Sequence, residues 1–321
     1  MYDRGLPPVA SAPHTRWPSW PGWLIAILGG VTAFSGLVAI ALESTGQLTI
    51  QNPGILLGAV VGGSLAAVGG LVYECVRSIV VRRVLPLDRY RGPSPLILLV
   101  LAVVAATAAA LPFSDDVTAL FEGRELSALG SIVLLTSTQA ALLLVTAIFV
   151  SWPNALAGAP SFAAGRPARS IALGMGWGVV AWIVANLVGA AVAIGLEAMG
   201  VPPEEQAAEQ ALAVLDPIIA VVAVVGLAPL AEEIFFRGVA YAGWRREHGV
   251  RRARIGAAVL FAVIHASLVA FLPILLLGLW LAWLYERTRS LLAAVAMHAT
   301  FNAISVVLAL LVRYEIIRLP V

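Results

Sequence analysis

The sequence predicts an all-α protein, a polytopic transmembrane helical bundle with about 8–9 spans. First, 60% of the residues are hydrophobic, only 12% are charged, and the mean hydropathy of +0.94 lies outside the range of soluble domains. Second, apolar stretches of the ~17–25 residues that cross a bilayer recur along the chain. Third, arginine-rich and acidic connections alternate between these stretches, as the positive-inside rule requires of a multi-pass protein.

Nine apolar stretches follow one another, and we interpret each as a membrane-spanning helix. They cover residues 22–42, 54–76, 95–113, 129–151, 171–196, 217–241, 255–271, 273–286 and 291–312. The apolar region from 255 to 286 is too long for one span, and Pro273 interrupts it. Because proline tends to end the preceding helix, two short helices are expected to meet near Phe271 and Pro273. Eight spans remain the alternative, and the choice decides on which side the C-terminus lies.

The charged connections predict the orientation in the membrane. The basic connections contain Arg77, Arg82, Arg83, Arg89, Arg91, Arg166, Arg169, Arg245, Arg246, Arg251, Arg252, Arg254, Arg287 and Arg289. The acidic connections contain Asp115, Asp116, Glu122, Glu125, Glu197, Glu204, Glu205, Glu209 and Asp216. The positive-inside rule then places the basic connections and the N-terminus in the cytoplasm, in a multi-pass protein of the cell membrane. Residues 1–21 are polar, rich in proline and without a signal-peptide cleavage pattern, so we interpret them as a disordered cytoplasmic tail.

Composition also narrows the class of partner. The basic residues are all arginine, which together with abundant alanine indicates a bacterial genome rich in GC. Cys75 is the single cysteine, so neither an intramolecular disulfide nor a multi-cysteine metal site can form. No nucleic-acid-binding motif is present. Gly58, Gly62 and Gly63 lie on glycine-rich faces that are typical of close helix packing in membranes.

Two glutamates and an arginine lie within the sixth apolar stretch. Ionisable groups at this depth cost at least ~2.5–3.5 kcal/mol each and usually mark function. Glu233 and Arg237 are i,i+4 neighbours, so an ion pair between them is expected. Glu232 is rotated by about 100° around the helix, and a histidine from a facing helix is its natural partner. Gly226 and Pro229 should loosen this helix and free backbone carbonyls.

Two histidines and an asparagine complete a polar layer at similar depth. By helix rise, Glu232 and His265 lie roughly 15 Å from the cytoplasmic face and His298 about 11 Å. His298 and Asn302 share one helical face, where an imidazole and an amide can donate hydrogen bonds to an oxyanion. The agreement in depth favours a catalytic layer over unrelated structural side chains.

Two other functions remain open from the residues alone. Glu232, Glu233 and His265 could form the relay of a proton-coupled transporter. Transporters commonly have two related halves, however, and the first four spans here contain almost no buried ionisable group. The other alternative is a non-enzymatic immunity or scaffold protein of the membrane. The glycine-serine and glycine-aspartate motifs of other intramembrane protease classes are absent.

The three motifs, in this order, resemble those of one protein family. They are Glu232-Glu233-x-x-x-Arg237-Gly238, Phe261-x-x-x-His265 and His298-x-x-x-Asn302, and Glu286-Arg-Thr-Arg-Ser290 precedes the last. This pattern is similar to the CPBP intramembrane proteases, the CAAX-prenyl-protease and bacteriocin-processing family that is also called Abi.

The resemblance implies a function and a division of the chain. It implies an intramembrane endopeptidase that hydrolyses a peptide bond of a peptide or membrane-protein substrate near the cytoplasmic leaflet. Glu232 and His265 would activate water, and His298 and Asn302 would form the oxyanion hole. Glu233, Arg237 and the core residue Phe261 would support the site. Residues 171–312 would form the protease domain, after a four-helix membrane region of unknown role at 22–170 and before a tail at 313–321.

The need for a metal is a separate question. CPBP members are commonly labelled metalloproteases, but the family's structural picture favours a metal-free mechanism based on glutamate. The His-Glu-x-x-His motif of zinc proteases is absent here. The alternative is zinc bound by Glu232, His265 and His298, with a fourth position for water. The sequence favours the metal-free mechanism and does not identify the substrate.

Overall fold

The computed structural model describes most of the chain, and its regular secondary structure within these ranges is helical. The described residues are 18–44, 53–113, 115–116, 119, 124, 126–151, 154, 156, 162, 166–200, 216–265 and 267–317. The predicted all-α fold is confirmed. The tail predicted at 1–21 lies almost wholly outside the described residues, as do the acidic residues Glu204, Glu205 and Glu209.

The described helices fall into two compact units, Met1–Val84 and Leu85–Val321. In the first unit, α1 (Trp20–Ser44) packs against α2 (Pro53–Arg82). A Cβ atom on Gly63 would lie 2.5 Å from the Ala33 nitrogen, so glycine is required for this close approach. The predicted packing role is therefore confirmed for Gly63. Around Gly58 and Gly62 the structure describes no atom within 4 Å of such a Cβ.

The described part of the second unit contains six long helices, which we number α3 to α8. They are α3 (Pro95–Ala110), α4 (Ala128–Thr146), α5 (Pro167–Ala198), α6 (Pro217–Val263), α7 (Leu268–Thr288) and α8 (Leu291–Arg313). In the described part of the chain, 7 helices are long and apolar enough to cross a membrane, and Trp20–Gly36 is a shorter apolar helix. A multi-pass membrane protein is confirmed. The division that we predicted at residue 170 stays a prediction.

Helix α6 is the least regular element and carries the glutamates. Gly249, at φ 80° and ψ 170°, breaks it, so that two predicted spans lie on either side of this residue. Two π-helical segments, Val221–Leu227 and Phe236–Tyr241, flank the short α-helical segment Ala228–Phe235. The loosening that we expected is therefore present. Such π segments are frequent at functional sites.

The predicted division of residues 255–286 into two helices is confirmed, but its predicted position near Phe271 and Pro273 is wrong. Helix α7 already begins at Leu268, where the Ser267 hydroxyl accepts a hydrogen bond from the Ala270 N–H at 3.0 Å. Pro273 lies inside the second turn of this helix, where its missing N–H removes a single backbone hydrogen bond. The serine N-cap, rather than the proline, determines where the two helices separate.

Helix α8 is held against α5 and α6. A Cβ atom on Gly178 of α5 would lie 2.6 Å from the Met297 carbonyl oxygen of α8. The absence of a side chain at this position lets the two backbones approach closely. This contact fixes α8 at the residue that precedes His298.

Candidate active site

The Glu233–Arg237 ion pair that the sequence predicts is present at the centre of the second unit. Glu233 Oε1 lies 2.7 Å from Arg237 Nη1, and the two side chains are 0% and 1% exposed. Because an uncompensated charge is so costly at this depth, removing either partner should cost ~3–5 kcal/mol. The pair is therefore a fixed element of the site.

Arg237 is enclosed by groups from two other parts of the fold. Its Nη2 donates to the Gly278 carbonyl of α7 at 3.2 Å, and its Cζ lies 4.6 Å from the centre of the Phe261 ring. The ring face attracts the guanidinium, which adds ~0.5–2 kcal/mol. Phe261 also contacts both imidazoles, with ring centroids 5.0 Å from His265 and 5.6 Å from His298. Phe261 is fully buried, as expected.

His298 is oriented by Glu233 and faces Glu232. Its Nδ1 lies 2.9 Å from Glu233 Oε1, the oxygen that Arg237 also binds. Its Nε2 lies 3.9 Å from Glu232 Oε2, which is beyond hydrogen-bond distance. The sequence predicted a histidine beside Glu232, and His298 does lie there. Its hydrogen bond, however, goes to Glu233, so one carboxylate oxygen joins α6 and α8.

Glu232 has an uncommitted carboxylate oxygen. Its side chain is 15% exposed, and Oε2 has no hydrogen-bond partner among the residues that the structure describes. A buried acceptor without a donor costs ~1–3 kcal/mol or more for a charged group. Glu233 Oε2 also lacks a described partner, but Glu233 is 0% exposed and its Oε1 is bound by Arg237 and His298, so Glu232 is the more accessible carboxylate of the layer.

His265 lies in the turn after α6 and is exposed. Its Nδ1 lies 2.7 Å from the Phe261 carbonyl oxygen. A carbonyl can only accept, so Nδ1 carries the hydrogen and Nε2 is the basic nitrogen of the neutral ring. Among the described residues no carboxylate lies within 4.0 Å of His265. The structure brings Glu232 and His298 together, whereas His265 reaches this pair through Phe261.

Asn302 is held by the loosened part of α6. Its Nδ2 donates to the Val224 carbonyl at 2.8 Å. In the π-helical register this carbonyl would bond the backbone nitrogen of Pro229, which has no hydrogen. The amide of Asn302 supplies the missing donor, and its second N–H has no role in that bond.

A polar cluster of α6 and α7 lies beyond the predicted site residues. Glu286 accepts from Tyr241 at 2.7 Å and from Arg245 Nε and Nη2 at 2.9 Å each, and Arg289 Nη2 lies 3.4 Å from it. In the sequence, Glu286 is distinguished only as the first residue of the stretch that precedes the third motif. Tyr241 and Arg245 are more than 40 residues away from Glu286, so only the fold could identify these two partners. We call this end of the second unit, where these arginines lie, the basic end.

The alternative zinc site requires three side chains that converge on one metal ion. Among the described residues no group of three or more His, Cys, Asp or Glu side chains is arranged to hold a metal ion. Glu232, His265 and His298, the three ligands that the alternative requires, are not grouped in this way among the described residues, and the choice between a zinc and a metal-free mechanism stays a prediction.

Comparisons with known proteins agree with the motif pattern. Residues 214–304 match the family model described as "Type II CAAX prenyl endopeptidase Rce1-like". The predicted resemblance to the CPBP proteases is therefore confirmed for this region, which includes the two glutamates, both site histidines and Asn302. No solved structure gives a significant match.

One curated relative aligns over a longer segment. It is "Putative membrane peptidase YdiL" of Bacillus subtilis (strain 168), which is 27% identical over 145 residues. The alignment covers 44% of this chain, and the chain spans 59% of that protein's length. Both comparisons support a membrane peptidase in general.

Proposed function

We propose that this chain is an intramembrane endopeptidase that hydrolyses a peptide bond near the cytoplasmic leaflet. The observation that carries the proposal is Glu232 Oε2, which has no partner among the described residues and lies 3.9 Å from His298 Nε2. Hydrolysis needs a base to activate water and a donor to stabilise the oxyanion, and these two side chains supply one of each. The match of residues 214–304 to a family of endopeptidases supports the same activity.

The proposed reaction uses the side chains as follows. Glu232, assisted by His265, takes a proton from water while the water oxygen attacks the carbonyl carbon of the substrate. His298 Nε2 and the second N–H of Asn302 donate to the resulting oxyanion. The proton on Glu232 then passes to the amine nitrogen as the C–N bond breaks.

The charges around His298 support its role as a donor. With both ring nitrogens protonated, Nδ1–H donates to Glu233 and Nε2–H points towards Glu232. Glu232, Glu233, Arg237 and this form of His298 then carry no net charge, which a site at bilayer depth favours. The proposed role of His265 is to assist Glu232 in activating water. It is supported by the hydrogen bond of Nδ1, which leaves Nε2 as the basic nitrogen.

The proposed substrate is a peptide or a membrane protein whose cleaved bond reaches this layer. We further propose that the chain is a multi-pass protein of the cell membrane, with its N-terminus in the cytoplasm. Substrate and water would then enter from the basic end or laterally from the lipid. We propose the metal-free form of this reaction, in which the Glu232 carboxylate is the base.

Cleavage assays on the purified full-length chain in liposomes test the proposal. The probes are internally quenched hydrophobic peptides, including one that ends in a farnesylated Cys-aliphatic-aliphatic-X sequence and its unfarnesylated equivalent. Glu232→Gln should lower kcat/KM by at least ~10²-fold, because a general base contributes ~10²–10⁴-fold. Glu197→Gln, an exposed position on α5, is the matched control and should cleave like the wild type. Full cleavage by Glu232→Gln would overturn the proposal.

A further inference from the structure

A cavity of about 210 Å³ lies beside the site, between the end of α4 and helices α6, α7 and α8. Its lining includes Thr146, Ile234, Gly238, Tyr285 and Leu291. An apolar cavity of ~150 Å³ can hold benzene, so this volume is sufficient for a large amino-acid side chain. The proposed reaction does not use this cavity.

Two buried hydroxyl groups of the lining lack partners. Thr146 and Tyr285 are 6% and 2% exposed. Thr146 Oγ1 and the Tyr285 hydroxyl have no hydrogen-bond partner among the residues that the structure describes. Buried hydroxyls are normally satisfied, so these two indicate an occupant that offers hydrogen-bonding atoms. The described lining residues carry no charge, so this occupant should be neutral.

Part of the cavity lining lies nearer the basic end than the proposed catalytic layer. Leu291 precedes His298 by about two turns of α8, which places it on the same face and roughly 10 Å nearer the basic end. Gly238 follows Glu232 on α6 and lies about 9 Å from it along the helix, in the same direction. Ile234 of the same lining lies only about 3 Å beyond Glu232 along α6, whereas Leu291 and Gly238 give a similar, longer separation of about 9–10 Å. An extended peptide covers this distance with about three residues, at ~3.3 Å per residue.

Gly238 belongs to the first sequence motif and has no part in the proposed reaction. A Cβ atom on this glycine would meet Leu291 Cδ1 at 3.6 Å and the Glu233 carbonyl oxygen at 3.9 Å, which are ordinary contacts. Helix packing therefore does not require glycine here. What the glycine does is keep this side of the cavity open.

We propose that this cavity is a specificity subsite, which binds an uncharged, hydrogen-bonding substrate side chain about three residues from the cleaved bond. The proposal rests on the proposed peptidase function, since it assigns part of the same substrate. Thr146 and Tyr285 select for the hydrogen-bonding atom of that side chain, and Gly238 sets its size.

A set of peptides varied at each position on both sides of the cleaved bond tests the subsite. Full-length wild type, Gly238→Ala, Gly238→Leu, Thr146→Val and Tyr285→Phe are assayed in liposomes, and mass spectrometry identifies the products. Gly238→Leu should shift the preference at a single position, about three residues from the cleaved bond, towards small side chains by at least about tenfold. Gly238→Ala should shift it less. Thr146→Val and Tyr285→Phe, which remove only hydroxyl groups, should reduce the preference for Tyr over Phe and for Thr over Val at that position.

The outcomes separate the two proposals. An unchanged or uniformly weakened profile in all four variants, with cleavage by the wild type that still depends on Glu232, overturns the subsite alone and indicates a cavity filled by water or lipid. Cleavage that persists in Glu232→Gln, or a wild type that cleaves no peptide of the set, contradicts the peptidase function and the subsite with it.

Discussion

His298 Nδ1 lies 2.9 Å from Glu233 Oε1, a buried carboxylate oxygen that also accepts from Arg237 at 2.7 Å. One oxygen atom thus joins α8 to α6 and orients the imidazole whose other nitrogen faces Glu232. The orientation of His298 therefore depends on a residue that does not itself face the open carboxylate.

Glu233→Gln should destabilise the protein strongly. The substitution leaves Arg237 buried without its counter-charge, and breaking a buried pair in this way costs ~3–5 kcal/mol. Chemical unfolding of the detergent-solubilised chain measures the change in free energy of unfolding. The exposed Glu197→Gln should change it by no more than ~0.5 kcal/mol. Equal stability of the two variants would show that the Glu233 pair is not a structural element.

His265→Ala should remove activity but not stability. The side chain is exposed and its described contact is with Phe261 in the last turns of α6, so the free energy of unfolding should change by ~0.5 kcal/mol or less. If His265 assists water activation, kcat should fall by ~10²–10⁴-fold. His248→Ala, at a histidine that is also exposed, is the matched control for both measurements. A His265→Ala variant with wild-type kcat would exclude the assigned role.

Asn302→Ala should affect both activity and stability. It removes the donor to the Val224 carbonyl, at ~0.5–1.5 kcal/mol, and a proposed oxyanion donor, at ~10²–10³-fold in kcat. Asn186→Ala removes a similar bond, from Nδ2 to the Trp182 carbonyl at 2.9 Å, on the exposed surface of α5. The control should lose no activity. Parallel kinetics and unfolding of the two variants test this, and a loss of stability without any loss of kcat would make Asn302 purely structural.

Gly63→Ala and Gly58→Ala should have opposite effects in the first unit. A Cβ at Gly63 would lie 2.5 Å from the Ala33 backbone nitrogen, so α1 and α2 must move apart. At Gly58 the structure describes no atom within 4 Å, so alanine should stabilise the helix by up to ~1 kcal/mol. Limited proteolysis in liposomes should release fragments of α1 faster in Gly63→Ala and no faster in Gly58→Ala. Identical digestion of the two variants would contradict the packing of α1 on α2.

Helical periodicity predicted side-chain pairs within a single helix correctly, but it did not predict the pairs between helices. It predicted the pairing of Glu233 with Arg237, because residues four positions apart face the same side. It assigned a histidine to Glu232, but the hydrogen bond of His298 goes to Glu233. The rotation of α8 relative to α6 depends on packing, such as the contact of Gly178 with Met297, and no pattern within one helix records it.

The sequence by itself determined the membrane class, the succession of apolar helices and the motifs that contain the site residues, because these follow from local composition and spacing. Only the tertiary structure decided that α7 begins at Leu268 instead of Pro273, that Glu232 keeps an oxygen without a described partner, and that Asn302 donates to the Val224 carbonyl. It also decided that Gly238 borders a cavity. Each of these features depends on which side chains and backbone groups of distant segments come into contact. Helix packing determines those contacts.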